Sequence, residues 1–401
     1  MLKKLETAKK LYLLKLTQDI PEYKRYNYED IYNSIAKLTA IYGSRGVGKT
    51  TILIQLLKNN PLPTSQKLYI SCDNTFLQGV SLFEFADEFS KRGGKLLCID
   101  EVHEAEDFER ELKQIYDFLD IKVYFTGSSA IALKSPDFAR RYSMYHLTHL
   151  SFKEYLNLSY NFKLKSYSLE DILTSHEDIV YEILKGINDK KILKEFDDFL
   201  KGGVYPFYFE DRLKYIDRIN DTIDKILYMD ISRIYFIMPD KIDALKKLLA
   251  TICTSKPFEF TIEGLAKKVG ITKSTLYNYL NYLDKAELLN IVTNEAKRFA
   301  NIKKPDKLYL ANTNLQEAIC INQDKGTTRE IYFVSMLKVL HSLHYSNKGD
   351  FLVDEKYIFE VGGKNKSFKQ IENLPNSYIA FDDIEIGFGA KIPLWLFGFL
   401  Y

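Results

Sequence analysis

The stretch Gly43-Ser44-Arg45-Gly46-Val47-Gly48-Lys49-Thr50 has the spacing G-x-x-x-x-G-K-[ST], that of a phosphate-binding loop. Glycines let the main chain curl so that successive N–H groups point at phosphate oxygens, and a following helix adds partial positive charge at its N-terminus. In such a loop Lys49 reaches the β- and γ-phosphates and the Thr50 hydroxyl ligates Mg²⁺; the binding set runs on to Thr51. A second stretch, Lys95-Leu96-Leu97-Cys98-Ile99-Asp100-Glu101, is an apolar run ending in two acids. Asp100 suits Mg²⁺ held through water, and Glu101 suits the general base that polarises an attacking water. A third run, Lys122 to Phe125, leads into Thr126-Gly127-Ser128-Ser129. There Thr126 or Ser128 would lie beside the γ-phosphate and sense it, although any exit from a strand favours Gly and Ser. Arg140 and Arg141 leave two readings open: a guanidinium that stabilises charge on the transferred phosphoryl group, or a surface pair on local carboxylates.

These residues need a scaffold that brings three chain segments to one edge. Residues 38–42, before the loop, form a short apolar, β-favouring run, and residues 51–58, after it, form an apolar helix that stops before Pro61. Strand and helix patterns alternate across residues 36–150, which predicts a three-layer α/β domain on a parallel sheet. Its strands are expected at 38–42, 67–71, 95–99, 122–126 and 143–147.

Length and composition set the outer limits. At 401 residues the chain exceeds one ordinary core. Its 46% hydrophobic and 27% charged content fits a folded globular protein. The net charge of +2 gives no global field toward nucleic acid or membrane, so any basic surface is local. Cys72, Cys98, Cys253 and Cys320 are isolated in sequence, which suggests neither a zinc site nor a disulfide framework and favours a reducing, cytoplasmic setting. No apolar run reaches the roughly 18–20 residues of a membrane span. The basic, leucine-rich stretch from Met1 to Leu16 is expected to be a solvated amphipathic helix.

The expected organisation is an N-terminal helical segment (1–35), a P-loop core (36–150), a helical lid (151–239), a winged helix (240–312) and a C-terminal α/β unit (313–401). In the fourth, Phe260 to Gly270 reads as a short helix ending at glycine, Ile271 to Ser274 as a turn and N-cap, and Thr275 to Leu288 as a second helix. Strands at 289–293 and 307–311 would flank a basic loop with Lys297, Arg298, Lys303 and Lys304. Nine Lys/Arg face five Asp/Glu over residues 261–310, which suits phosphate contacts. The second helix is expected to turn Tyr277, Asn278, Asn281 and Tyr282 outward and carries no arginine, the commonest base reader. DNA contact and a structural use of this module therefore stand side by side. In the last unit, Glu330 lies on an expected helix, Thr328 to Leu343, and Asp350 and Glu360 on a hairpin, where acids on one face can bind a divalent metal.

Taken together, the chain resembles the bacterial and archaeal AAA+-type ATPases that carry a C-terminal restriction-endonuclease-like domain of unknown function. The marks are the phosphate loop, Ile99-Asp100-Glu101, Phe125-Thr126-Gly127-Ser128-Ser129-Ala130, and Arg141 ten residues before Leu150-Ser151-Phe152-Lys153-Glu154-Tyr155. To these add Gly202-Gly203-Val204-Tyr205-Pro206 and Lys304-Pro305-Asp306-Lys307-Leu308-Tyr309-Leu310. The resemblance implies ATP as the nucleotide and a sensor strand between the loop strand and the acidic strand. It favours Arg141 over Arg140 as the functional arginine. It also implies an Asp, Glu-x-Lys nuclease site, for which Asp350 and Glu360 match while Gly362 stands at the lysine. The C-terminal unit is thus expected to be a degenerate scaffold, with Lys364 the one amine placed to substitute. The expected activity is Mg²⁺-dependent ATP hydrolysis coupled to movement of the winged helix and C-terminal unit. The alternatives are a nucleotide-gated switch with little turnover and an ATP-regulated nuclease. Expected partners are DNA through the winged helix, and a protein or a second copy through the ATPase core, with no membrane.

Overall fold

A computed structural model describes residues 1–128, 140–253, 261–294, 305–363, 371–372 and 374–401. The chain divides into two compact units, Met1–Thr148 and His149–Tyr401.

The first unit is built on a five-stranded sheet: β1 (Leu38–Gly43), β2 (Lys67–Ser71), β3 (Leu96–Asp100), β4 (Lys122–Ser128) and β5 (Tyr142–His146), in the order β2-β3-β4-β1-β5. Every pairing is parallel. Parallel sheets are covered on both faces, and β1 and β3 are accordingly near-continuous apolar runs. Chain direction explains the layers. The crossover from β1 to β2 runs one way across the sheet, and those from β2 to β3 and β3 to β4 run back. Right-handed connections then put the helix Lys49–Asn59 on one face and the helices Leu82–Lys91 and Phe108–Phe118 on the other. The latter two touch through Phe83 and Phe118. As expected, β4 lies between β1 and β3.

The N-terminal helix Leu2–Leu16 is amphipathic but not free in solvent. Leu5, Ala8 and Tyr12 are buried, and the helix packs on β2 and on the helix Leu82–Lys91. The helix Tyr28–Tyr32 follows, just before β1.

The second unit begins with helices Phe152–Tyr160, Leu169–Gly186 and Ile192–Lys201. The first two carry capping boxes, Ser151 with Glu154 and Ser168 with Asp171, so both starts were written in the sequence. The Gly-Gly turn after them is held from far along the chain. The Asn314 side chain accepts from the Val204 N–H at 2.9 Å and from the Tyr215 hydroxyl, and donates to the carbonyls of Phe199 at 3.1 Å and Leu200 at 2.9 Å. Gly203 is required here: its φ is +113°, and a Cβ would stand 2.4 Å from the Tyr155 ring.

The helices Ile262–Val269 and Lys273–Lys285 flank Gly270, whose φ of +87° makes it a C-cap. The strands β6 (Leu289–Val292) and β7 (Lys307–Leu310) pair antiparallel. Tyr282, expected to face outward, instead stacks on Tyr235 with ring centroids 3.7 Å apart. The basic residues 297, 298, 303 and 304 lie outside the described residues. Cys253 and Cys320 form a disulfide, which corrects the expectation of unpaired cysteines. Sequence isolation says nothing of spatial proximity, and 67 residues separate the two. The pairing removes the cysteine-based ground for a reducing compartment. Cys72 and Cys98 are free and buried.

The last sheet is mixed, in the order β12-β11-β10-β9-β8, with β8 (Leu343–Tyr345), β9 (Phe351–Val353), β10 (Tyr357–Gly362), β11 (Ser377–Phe381) and β12 (Lys391–Pro393). β9 and β10 form the expected hairpin. The helix Lys325–Leu337 ends earlier than expected and covers this sheet through Phe333, which packs on Phe351 and Phe359. The apolar C-terminal segment is a buried 3₁₀ turn, Leu394–Phe399, around Trp395. No helix among the described residues is long and apolar enough to cross a membrane.

Candidate nucleotide site

At one end of the first sheet the loop leaves β1 and enters the helix Lys49–Asn59. Gly43 is obligatory, because a Cβ there would sit 2.0 Å from the Leu147 carbonyl oxygen. Gly46 and Gly48 take φ values of +83° and +99°, left-handed conformations that make the curl and cap the helix. Ser44 and Val47 are buried, whereas Arg45 and Thr51 are half-buried. Lys49 is 5% exposed and its ammonium donates to the carbonyls of Gly43 at 2.8 Å and Ser44 at 2.9 Å, which fixes it inside the curl.

The acids come from the neighbouring strands. Asp100 ends β3, and its carboxylate is surrounded by hydroxyls. Oδ2 accepts from Thr50 at 2.6 Å and from Tyr69 at 2.7 Å, and Oδ1 accepts from Thr126. The Thr126 hydroxyl also accepts from the Glu101 N–H at 2.9 Å. One side chain on β4 therefore ties the Asp100 carboxylate and the Glu101 main chain to that strand. Ser128 stands beside Gly43 in the sheet register, buried and with no hydrogen-bond partner among the described residues. Glu101 adopts φ +48°, a left-handed conformation unusual outside glycine, and opens the 3₁₀ turn Val102–Glu104. A cavity of about 490 Å³ opens here, lined by Leu11, Lys15, Thr50, Tyr69, Asp73 and Glu101 among others.

Three contributors had no signal in the sequence. Tyr69 reads as an ordinary strand aromatic, yet it donates to Asp100; burial first, and then the Asp100 charge, push its hydroxyl pKa far up and keep it a donor. Arg25, before the helix Tyr28–Tyr32, donates to the Val47 carbonyl of the loop and the Thr148 carbonyl, each at 2.7 Å. His103, whose side chain is 7% exposed, lies 3.4 Å from both Glu101 and Glu104. Only the three-dimensional neighbours of these residues reveal their part.

Arg141 is not brought to the loop of its own chain. It precedes Tyr142, which pairs with Leu38 at the start of β1, whereas the loop follows Gly43 at its end. At ~3.3 Å per residue that is roughly 17 Å of strand. Its Nε lies 3.7 Å from Asp117, a local carboxylate.

The C-terminal acids are gathered differently. Glu330 and Asp350 converge on Lys307 of β7, whose ammonium lies 3.2 Å and 3.6 Å from them. Glu330 also accepts from the Tyr309 hydroxyl. Burial raises the Glu330 pKa, with Lys307 lowering it and Asp350 raising it further. Glu360 belongs by alternation to the face of β10 opposite Phe359. Gly362 brings no amine, and residue 364 lies outside the described residues. No group of three His, Cys, Asp or Glu among the described residues could hold a metal. A Mg²⁺ held by phosphate oxygens, Thr50 and waters needs no such group, so the residues at the nucleotide site fit that ion.

Residues 36–156 match the family model described as an AAA domain, and residues 193–325 match a domain of unknown function, DUF8612. The uncharacterised protein MJ1637 of Methanocaldococcus jannaschii is 28% identical over 412 residues, spanning 92% of this chain and 86% of that protein. The Walker-type ATPase PABY2304 of Pyrococcus abyssi is similar in structure, with a TM-score of 0.45 and 14% identity over 76% of this chain and 99% of that one. RuvB of Thermotoga maritima gives a TM-score of 0.27 and 18% identity over 75% and 95% of the two chains. AMPPCP-bound DnaA of Aquifex aeolicus gives 0.28 and 15% over 67% and 90%. Likenesses with TM-scores this low carry no inference. The first sheet and its loop have the arrangement of a P-loop domain, and residues 36–156 match the AAA-domain model.

Proposed function

We propose that the chain is a Mg²⁺-dependent ATPase in which Lys49 and the loop amides bind the phosphates, Thr50 and Asp100 hold Mg²⁺, and Glu101 orients the attacking water. Bound Mg²⁺ would neutralise charge on the phosphates. The observation that carries this reading is the convergence of Thr50 and Thr126, from two other elements, on the Asp100 carboxylate, beside the Lys49 curl. Thr126 suits the γ-phosphate sensor, because it holds the Asp100 carboxylate and the Glu101 main-chain N–H at once. Ser128, with a buried hydroxyl beside Gly43, is its companion.

Nucleotide state would be passed to the second unit, where the residues 261–310 are read as a winged helix and as the contact for DNA. The decisive experiment is phosphate release measured with single-stranded DNA, duplex DNA, RNA and no polymer, in wild type and Lys49→Ala. Turnover lost in Lys49→Ala supports the assignment, and turnover at the wild-type rate ends it. Stimulation by one polymer identifies the partner.

A second reading, a nucleotide-gated switch with slow turnover, is favoured by the place of Arg141. With Arg141 away from its own phosphate site, that guanidinium does not speed phosphoryl transfer within one chain. Self-association through the ATPase core would supply it from a second copy. Turnover rising with protein concentration and lost in Arg141→Ala separates the two readings.

A further inference from the structure

Away from the nucleotide site, one cluster sets a fully buried lysine against two part-buried acids, the three coming from separate elements. Lys307 lies on β7, Glu330 on the helix Lys325–Leu337, and Asp350 just ahead of β9. We propose that the Lys307 ammonium is the resident cation of the Glu330–Asp350 pair, so that the corner where these acids could gather a divalent metal is closed by the chain's own charge.

Four observations carry this. The Lys307 side chain is 0% exposed, so its charge has no water to escape into. Its Nζ lies within ion-pair distance of both acids, at 3.2 Å and 3.6 Å, and 4.4 Å from the centre of the Phe351 ring. An ammonium over an aromatic face between two carboxylates is satisfied without any further ion. A divalent metal there would meet like charge at contact distance, and displacing Lys307 would strand a buried ammonium. The backbone cannot yield easily either, because Lys307 is paired to Val292 across the β6–β7 sheet.

The rest of the corner is consistent with a closed site. The Tyr309 hydroxyl takes up Glu330, and the Val361 N–H donates to Asp350 at 2.9 Å. A divalent ion needs about six oxygen ligands, and Glu330 Oε2 and both Asp350 oxygens already have protein partners. Lys307 is also too enclosed to act on a water or a phosphodiester. The ammonium is therefore a structural pin joining β7 to the helix and hairpin that follow. The proposal does not depend on the ATPase assignment.

The test is a Mn²⁺ titration of the nucleotide-free full chain by electron paramagnetic resonance, in wild type, Asp100→Asn and Asp350→Asn. Expected is either no tightly held Mn²⁺ or a signal lost in Asp100→Asn and kept in Asp350→Asn. A Mn²⁺ that survives Asp100→Asn and vanishes in Asp350→Asn overturns the proposal, whatever happens to ATP turnover. Thermal unfolding supplies the second arm. Lys307→Met lowers the Tm, and adding Glu330→Gln recovers part of the loss, since it removes a stranded charge. A Lys307→Met protein with unchanged Tm also overturns it. If that variant does not fold, the Asp100 and Asp350 comparison still decides.

Discussion

Two carboxylate sites in this chain are built from similar acids and dressed in opposite ways. Asp100 receives three neutral hydroxyls, from Thr50, Tyr69 and Thr126, beside a cavity of about 490 Å³. Glu330 and Asp350 receive the ammonium of a wholly buried lysine. Hydroxyl donors fix the orientation of a carboxylate and leave its negative charge in place for an incoming cation. An ammonium cancels the charge and ends the site's capacity for metal. The same residue type is thus poised in one unit and quenched in the other, and the partner decides which.

This contrast can be broken, or sharpened, by measurement. The largest effect is expected at the poised site: Glu101→Gln should slow ATP hydrolysis by about 10²–10⁴-fold, the usual range for losing a general base, with nucleotide binding kept. Equal loss of binding and turnover would show that Glu101 shapes the pocket instead. At the quenched site, Lys307→Met should cost about 3–5 kcal/mol in denaturant unfolding, because two acids lose their buried partner. Breaking the Cys253–Cys320 disulfide with Ser at both positions should cost about 2–4 kcal/mol, since the bridge closes a long loop, read as the same shift under reducing conditions in wild type.

Finer changes test the dressing itself. Tyr69→Phe removes one of the three hydroxyls and should raise the Mg²⁺ concentration for half-maximal turnover by about tenfold, leaving metal-free nucleotide binding unchanged. The smallest effect concerns pH. The Glu330 pKa is raised on folding, so its contribution is full below the ordinary carboxylate range and declines as pH climbs through the raised value. Glu330→Gln should flatten that part of the stability–pH curve.

What could be read from the sequence was whatever is local. The loop spacing, the acidic strand end and the alternation over residues 36–150 each depend on neighbours along the chain, and all five strands of the first sheet fell within a residue or two of expectation. The capping boxes at Ser151 and Ser168 are similarly local. Partners brought together by topology could not be read. Tyr69 meets Asp100 only because β2 lies beside β3, and Arg25 meets the loop only after the chain has turned back. Lys307 lies 23 residues from Glu330, with nothing in the spacing to join them. Arg141 is the reverse case: its place in the motif suggested chemistry, and strand direction sets it away from the loop of its own chain.

The Asn314 side chain has a bearing on how the protein can be cut. Three of its hydrogen bonds reach back more than a hundred residues, to the end of the helix Ile192–Lys201 and to the turn that follows it. A fragment stopping at residue 311 would keep that helix but abandon the Phe199 and Leu200 carbonyls and the Val204 amide in an apolar interior, each without a mate. Proteolysis or truncation at that point should therefore not release a neat module; it should undo the Gly-Gly corner, and the pieces should survive only when co-expressed.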